Sequence, residues 1–268
     1  MRRTACLGLA FVALLGWSQV THALDVDKSF ASVSRLENAA YAYQKGAYDI
    51  AFNEIKPLAE QGNPEAQTYL GYMYAHGEGT LRDMKEAALW YRSAAEQGNM
   101  NAQNNLALMY YQGEGVEQSY TDAARWYKKA ADQGNANAQN SLGVLYETGQ
   151  GLLQDDISAL RWYYKAAKKR HTEAQLHMGS MYFHGKGVDQ NYVQAYKWFL
   201  LANSSNRQEP SQIAIEIATA REMTLQFLSA QEYKDAKRLA RKWATRYPRP
   251  PRPAPKGQWK DLGSALPF

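Results

Sequence analysis

A 36-residue spacing, present in four consecutive units without slippage, constrains the fold of this chain more than any other feature of its sequence. Each unit carries an Ala-Gln pair, a tyrosine, a Gly-x-Gly pair and a tryptophan followed by a second aromatic residue. The Ala-Gln pairs are Ala66-Gln67, Ala102-Gln103, Ala138-Gln139 and Ala174-Gln175, and the tryptophans are Trp90, Trp126, Trp162 and Trp198. Self-similarity at a period of about 20–50 residues is typical of arrays in which each unit packs against the next.

Each unit is predicted to form two helices. Ala66, Leu70 and Tyr74 share one face at helical spacing, and a second segment places Trp90 beside small alanines. The Gly-x-Gly pair ends the first helix, since glycine takes positive φ and weakens a helix interior. Asparagines at positions 63, 99 and 135 are predicted to begin the first helices. Neither helix buries its apolar face alone, so the sequence predicts an all-α fold, a right-handed α-solenoid of stacked antiparallel helix pairs.

The pattern A-Q-x-x-L-G-x-x-Y-x-x-G-x-G, followed by A-x-x-W-Y-x-x-A-A-x-Q-G-N, carries a family resemblance. It resembles the Sel-one-like repeat family, a relative of the tetratricopeptide repeat. The resemblance implies a scaffold that binds a protein or peptide partner. Some bacterial relatives carry a cysteine pair in every repeat and are linked to penicillin binding and β-lactam hydrolysis. This chain has one cysteine, Cys6, which argues against that subgroup.

The repeats divide the chain into five parts. Four repeats are assigned to residues 47–203, preceded by an N-terminal capping helix region at 24–46. Residues 204–247 are predicted to form basic capping helices, with a capping box at Ser229 and Glu232. Residues 248–268 contain a proline cluster that no helix tolerates and are assigned as an extended tail. Arg170 replaces the glycine found before the other units, so we expect a less tightly turned junction there.

Residues 1–23 have the pattern of a secretory signal peptide. Arg2 and Arg3 precede an uncharged apolar stretch, and Thr21-His22-Ala23 supplies small residues for cleavage near Ala23. The apolar stretch is shorter than the roughly 20 residues of a membrane-spanning helix. The pattern therefore predicts a periplasmic or secreted protein, with an uncleaved membrane anchor as the alternative. An exported chain is not expected to bind nucleic acid.

No combination of residues indicates catalysis, a cofactor or a metal. The Gly-x-Gly pairs follow no predicted strand and lack the Lys-Ser/Thr of a phosphate-binding loop. His76 and His184 occupy equivalent places three units apart, so stacking keeps them from sharing an ion. The repeated tryptophans are predicted to be core residues. No motif places a nucleophile beside a base, so we expect no enzyme activity.

A partner is expected on the surface that the first helices line, which is concave in stacked helix pairs. On each first helix of the first three units, three positions are assigned to this surface, and the residues there differ between units. They are Glu65, Thr68 and Tyr72, then Asn101, Asn104 and Leu108, then Asn137, Asn140 and Val144. The central asparagines have the chemistry to hydrogen-bond an extended peptide backbone. If Asn104 lies on an open surface, its replacement by alanine should change stability by about 0.5 kcal/mol or less.

The C-terminal region is strongly basic. Residues 221–260 carry 11 basic and 3 acidic residues, whereas residues 24–220 carry 18 and 22. Lys234, Arg238, Arg241 and Lys242 lie on one predicted helix. This basic patch is predicted either to attract an anionic envelope surface or to keep the end of the array soluble.

These observations predict an exported scaffold that binds a protein or peptide in the cell envelope, as an adaptor for assembly or signalling. Two alternatives stay open. One is a β-lactam-interacting or cell-wall enzyme, and the other is a structural envelope protein held to membrane or wall by its basic C-terminus.

Overall fold

The structure is a computed structural model that describes residues 35–206 and 211–248. Within these two ranges the chain forms twelve helices and no strand, which confirms the all-α prediction. Helix α1 covers 35–44. The others are α2 (Tyr48–Glu60), α3 (Pro64–His76), α4 (Met84–Glu96), α5 (Met100–Gln112), α6 (Tyr120–Asp132), α7 (Ala136–Thr148), α8 (Asp156–Lys168), α9 (Thr172–His184), α10 (Tyr192–Ser205), α11 (Gln212–Leu225) and α12 (Ala230–Arg246).

Helices α3 to α10 form four consecutive pairs, each with a first helix (α3, α5, α7, α9) and a second helix (α4, α6, α8, α10). The starts of the first helices are 36 residues apart, as are those of the second helices. Packing is most extensive within each pair, and every second helix also packs against the next first helix. This arrangement confirms the predicted α-solenoid. Helix α2 precedes the series at the same spacing and packs on α3.

Side chains cap the helices at equivalent places in each repeat. Asn63 Oδ1 accepts hydrogen bonds from the backbone N–H groups of Glu65 and Ala66 at 3.0 and 2.9 Å, and Asn99 and Asn135 cap α5 and α7. The predicted asparagine starts are therefore confirmed. The second helices have caps that the sequence analysis did not identify, and these are Asp83, Ser119, Asp155 and Asn191.

The two glycines of each Gly-x-Gly pair have different structural tasks. Gly77 ends α3 in the left-handed conformation with φ 71°. Gly79, at φ 72°, lies so close to the Tyr48 backbone at the start of α2 that a Cβ there would overlap it. The second glycine therefore allows each Gly-x-Gly turn to pack closely against the start of the second helix of the preceding pair. The interpretation of these pairs as helix stops is confirmed.

The repeated tryptophans lie in the core, as predicted. Trp126, Trp162 and Trp198 are 5%, 8% and 1% exposed, and Trp90 is half-buried. A lysine from the same helix covers each of the three buried rings at 3.5–4.3 Å from the ring centroid. The rings thus pack inward while the lysine ammonium groups shield their outer side, which favours a core role over an exposed stacking platform.

Buried glutamines join consecutive repeats. Each donates from Nε2 to the carbonyl of an alanine near the end of the preceding second helix at 3.0–3.2 Å; they are Gln67, Gln103, Gln139 and Gln175. In the first two repeats a second glutamine donates to the Oε1 atom of the buried glutamine, so both ends of that amide are hydrogen-bonded. Gln97 donates to Gln67 at 2.7 Å, and Gln133 donates to Gln103 at 2.8 Å. Lys169 replaces that second glutamine in the third repeat and donates to the Gly134 carbonyl instead. Gln139 Oε1 is therefore buried without a hydrogen-bond partner in the described part of the chain.

Arg170 keeps the turn that glycine makes in the other units. We expected a looser junction, but Arg170 adopts φ 64°, in the left-handed region that the equivalent glycines 62, 98 and 134 occupy at φ 91–97°, so that expectation was wrong. Such a conformation costs a non-glycine residue about 1–2 kcal/mol. The Arg170 guanidinium donates to the Tyr247 carbonyl at 3.2 Å and to the Ser204 hydroxyl at 3.1 Å. These bonds offset the strain and fasten the end of α12 to the α8–α9 turn.

The repeat geometry ends after α10. Helices α11 and α12 both pack on α10 and make almost no contact with each other. Ser229 and Glu232 form the predicted capping box at the start of α12. Trp243 of α12 lies with its ring centroid 4.6 Å from that of Trp198, so α12 covers the end of the core.

The predicted signal peptide at 1–23 and nearly all of the predicted tail at 248–268 lie outside the described residues. The predicted capping region at 24–46 is described only from residue 35 onward. Among the helices of the described ranges, none combines the length and apolar character needed to cross a membrane.

Candidate functional site

The inner face is the side of α3, α5 and α7 that carries the nine predicted partner-binding residues. Two rows of them are half-buried: Glu65, Asn101 and Asn137 form one, and Tyr72, Leu108 and Val144 form the other. The row between them, Thr68, Asn104 and Asn140, is only 5–6% exposed. The expectation of an open surface is therefore wrong for this central row, which forms the floor between two partly exposed rows.

Aromatic rings fill the first-repeat end of the inner face. Tyr72 stacks on His76 with ring centroids 3.9 Å apart and meets the edge of Tyr43, from α1, at 6.3 Å. The Tyr43 hydroxyl donates to Glu78 at 2.6 Å, and burial together with this bond raises the pKa of Tyr43. The Thr68 hydroxyl donates to the carbonyl four residues earlier at 2.7 Å, so it is satisfied within its own helix.

Asn101 and Asn137 have structural partners that the sequence analysis missed. Asn135 Nδ2 donates to Asn101 Oδ1 at 3.2 Å, and His171 Nε2 donates to Asn137 Oδ1 at 3.1 Å. Each bond runs from the cap of one first helix to the preceding first helix. His171 Nδ1 also accepts from the Ala174 N–H at 3.3 Å, which places its proton on Nε2. Burial, helped by the nearby His177, lowers the pKa of His171 to about 4, so the ring is neutral.

Asn104 and Asn140 present buried oxygen atoms that have no partner among the described residues. Asn104 Nδ2 donates to Asn105 Oδ1 at 3.3 Å, and Asn140 Nδ2 donates to Glu173 Oε2 at 3.3 Å. Neither Oδ1 atom has a hydrogen-bond partner there. These two acceptors occupy the same position in adjacent repeats. An unsatisfied buried acceptor costs about 1–3 kcal/mol, so both favour a hydrogen-bond donor that reaches the floor.

The half-buried row of Tyr72, Leu108 and Val144 lies beside apolar surface. Leu108 lies in a cleft of about 420 Å³ between the first two repeats, together with Tyr91, Asn105 and Met109. Val144 packs against the core cluster of the third and fourth repeats. The inner face therefore combines a polar floor with one polar and one largely apolar edge, a composition that suits an extended polypeptide with alternating side chains.

The inner face continues past the nine predicted residues onto α9. His177 stacks on Tyr163 with ring centroids 4.6 Å apart, and burial lowers the pKa of His177. The Tyr163 hydroxyl donates to Glu147 at 2.8 Å, and Lys186 pairs with the same carboxylate at 3.2 Å. Burial alone would raise the pKa of Glu147, but these two donors bring it below its ordinary value. This charge network is internally satisfied and therefore supports the fold at this end.

The basic patch lies on the outer side of α12. The four predicted residues of the patch are all exposed: Lys234, Arg238, Arg241 and Lys242. Arg238 pairs with Asp235 at 3.0 Å, and the other three make no ion pair within the described ranges. The patch is thus open to an anionic surface.

Candidate metal ligands do not gather anywhere in residues 35–206 or 211–248: no group of three or more His, Cys, Asp or Glu side chains is close enough to hold an ion. His76 lies in α3, where its Nδ1 donates to the Tyr72 carbonyl at 3.0 Å, and His184 ends α9. His171 and His177, which are near in sequence, are used as a helix cap and as a partner of Tyr163.

A family model described as the Sel1 repeat matches residues 64–99, 101–135, 136–171 and 172–206, which together are more than half of the chain. The chain is a Sel1-repeat protein. Sel1 repeats generally bind protein partners, and their fold is a typical non-catalytic interaction scaffold. The search against curated proteins finds no significant match.

Two solved structures illustrate the relationship of this Sel1-repeat protein to others. One is a protective antigen present in uropathogenic Escherichia coli strains that displays an SLR fold. It is 29% identical to this chain with a TM-score of 0.72, and the match covers 88% of this chain and 49% of the other. The chain thus spans about half the length of that protein. The other is a Sel1 repeat protein from Oxalobacter formigenes, with 26% identity and a TM-score of 0.60 over 84% of this chain and 97% of the other.

Proposed function

We propose that this Sel1-repeat protein is an exported adaptor that binds an extended segment of a partner protein along its inner face. The observation that carries the proposal is the pair of buried acceptors, Asn104 Oδ1 and Asn140 Oδ1, at one position in consecutive repeats. Backbone N–H groups of an extended chain are suitable donors for both. Helices that pack side by side lie about 8–10 Å apart, a distance that about three extended residues cover.

Substitution by leucine tests this proposal because leucine matches asparagine in shape but removes the Oδ1 acceptor, together with the Nδ2 donor that bonds within the protein. Peptides that bind the full chain would first be selected from a library of unstructured sequences. We expect Asn104→Leu and Asn140→Leu to weaken binding of a selected peptide by about tenfold each, as the loss of about 1.4 kcal/mol requires. Asn203→Leu, at an exposed position of α10, is the matched control and should bind like the wild type. Unchanged binding in both floor variants would contradict the proposal.

Export is the second part of the proposal, and its support is the signal-peptide pattern of residues 1–23. Mass spectrometry of the protein recovered from a bacterial host should find an N-terminus at Leu24 and the protein outside the cytoplasm. A chain that keeps residues 1–23 and stays in the cytoplasm would refute this part without affecting the peptide-binding test.

A second candidate function, attachment to an anionic envelope surface, is favoured by the exposed basic patch on α12. Vesicles of phosphatidylglycerol should co-sediment the protein, whereas phosphatidylcholine vesicles should not. The binding should vanish near about 1 M salt, where the Debye length falls to about 3 Å. Joint replacement of Lys234, Arg238, Arg241 and Lys242 by glutamine should abolish it. Equal sedimentation with both lipids would rule out this function.

A further inference from the structure

The C-terminal end of the inner face has a second apolar cleft, between α9 and α11. Its volume is about 300 Å³, and its lining includes Leu176, Phe183, Ala220 and Met223. Met223 is 49% exposed although it borders the cleft. The dimensions suit one large aromatic side chain, and an aromatic group there would cover apolar surface that the described helices leave open.

Two carboxylates lie about one helical turn from residues that line this cleft. Glu173 shares a face of α9 with Leu176 by helical spacing, and Glu216 shares a face of α11 with Ala220 and Met223. The negative charge of Glu216, added to burial, raises the pKa of Glu173, so the two groups lie within electrostatic range. Neither makes an ion pair within the described ranges. A cation at this point would relieve their repulsion.

The described chain ends near the turn that precedes α9. The Tyr247 carbonyl accepts from the Arg170 guanidinium at 3.2 Å, and Arg170 is two residues before the start of α9. The chain therefore leaves α12 at the same end of α9 that carries Glu173. The 20 residues that follow, 249–268, include four basic residues, one acidic residue and a single tryptophan. The basic residues are Arg249, Arg252, Lys256 and Lys260, and the tryptophan is Trp259.

The separation along the chain allows these residues to reach the cleft. Trp259 lies eleven positions after Pro248, and eleven extended steps span up to about 36 Å. Helix α9 has 13 residues, so its full length is about 20 Å. Trp259 can therefore reach any point along α9 while Arg252 and Lys256 lie nearer to its start.

We propose that residues 249–260 of the same chain bind in the α9–α11 cleft, with Trp259 between Leu176 and Met223 and with Arg252 and Lys256 beside Glu173 and Glu216. This inference stands on the cleft, the carboxylate pair and the position of the chain end. It does not depend on peptide binding at Asn104 and Asn140.

Disulfide trapping in the full chain tests the proposal. A Cys6→Ser background would carry Gln258→Cys together with Thr219→Cys, an exposed position at the edge of the cleft on α11. The control replaces Thr219→Cys with Lys242→Cys, an exposed position on the outer side of α12 and closer along the chain to residue 258. We expect the cleft pair to form an intrachain disulfide about tenfold faster than the control pair, because a bound tail has a higher effective concentration at its own site.

Two further variants of the cleft pair check the assigned contacts. Trp259→Ala should reduce its rate to that of the control pair, and Glu173→Gln with Glu216→Gln should reduce it and remove its dependence on salt. Equal rates for cleft and control pairs would overturn the proposal. A disulfide formed mainly between two chains would overturn it as well, since it would assign the cleft to a second copy.

Discussion

The series of buried glutamines that joins consecutive repeats, here called the glutamine ladder, is interrupted at Gln139. The Nε2 and Oε1 atoms of Gln103 both have hydrogen-bond partners. Gln139 has a buried Oε1 without a partner among the described residues. The reason is that Lys169 occupies the position of Gln97 and Gln133 in the earlier repeats. Gln133 donates both to Gln103 and to the Gly98 carbonyl at 3.0 Å. A glutamine at position 169 can therefore keep the bond to the equivalent Gly134 carbonyl while it also donates to Gln139.

We therefore expect Lys169→Gln to stabilise the protein. One added hydrogen bond that satisfies a buried acceptor should contribute about 1–2 kcal/mol. For a chain of this size that corresponds to a rise in Tm of about 2–8 °C. Thermal and urea unfolding followed by circular dichroism would measure it. Lys168→Gln removes the same charge from an adjacent exposed position and should leave stability nearly unchanged.

A double-mutant cycle decides whether the effect comes from the ladder. In a Gln139→Met background the acceptor is absent, so Lys169→Gln should no longer stabilise. Gln139→Met alone should lower the free energy of unfolding only slightly, since it removes one hydrogen bond and one unsatisfied atom. Gln103→Met loses two hydrogen bonds and should lower it by about 2 kcal/mol. Equal stabilisation by Lys169→Gln in both backgrounds would refute the reasoning.

Three further predictions concern the core, the turn before α9 and its cap. Trp126→Ala should cost about 3–5 kcal/mol in urea unfolding, because a large buried ring is lost; a variant as stable as the wild type would mean that the buried face is misassigned. Arg170→Gly should be more stable than Arg170→Ala by about 1 kcal/mol, because only glycine takes the φ of 64° without strain; the reverse order in thermal melts would contradict this. His171 has a pKa of about 4 in the folded protein, below the pKa of about 6.5 in the unfolded chain. Its contribution to stability is therefore complete above about pH 6.5 and is lost as the pH falls from there towards 4. The loss is at most about 1.4 kcal/mol per pH unit. His171→Asn, which restores the asparagine of the other repeats, should flatten the pH dependence of unfolding in that range, and an unchanged slope would assign it to other groups.

Most of the fold could be predicted because its determinants are local and repeated. The starts at Asn63, Asn99 and Asn135, the glycine stops and the capping box at Ser229 each need only a few neighbouring residues. The strict spacing also placed the tryptophans in the core. The turn at Arg170 was misjudged because the bonds that hold it come from Ser204 and Tyr247, which are distant in sequence.

The candidate site was less predictable because burial there depends on packing between repeats. Asn104 was expected on an open surface, but the neighbouring first helices leave it 6% exposed. Its replacement by alanine should therefore cost more than the 0.5 kcal/mol expected from sequence, since packing and a hydrogen bond are both lost. The roles of Asn101 and Asn137 depend on contacts 34 residues away. One signal was available: Gln97 and Gln133 follow Gln67 and Gln103 by 30 residues in both cases, a regularity that indicates paired amides.

The central claim is that the inner face binds an extended polypeptide through the floor asparagines, and a crystal structure of the protein with a selected peptide tests it most directly. We expect peptide backbone N–H groups to lie within about 2.7–3.2 Å of Asn104 Oδ1 and Asn140 Oδ1. A peptide bound to the outer side of the second helices, or one on the inner face that leaves both oxygens without a donor, would contradict the claim.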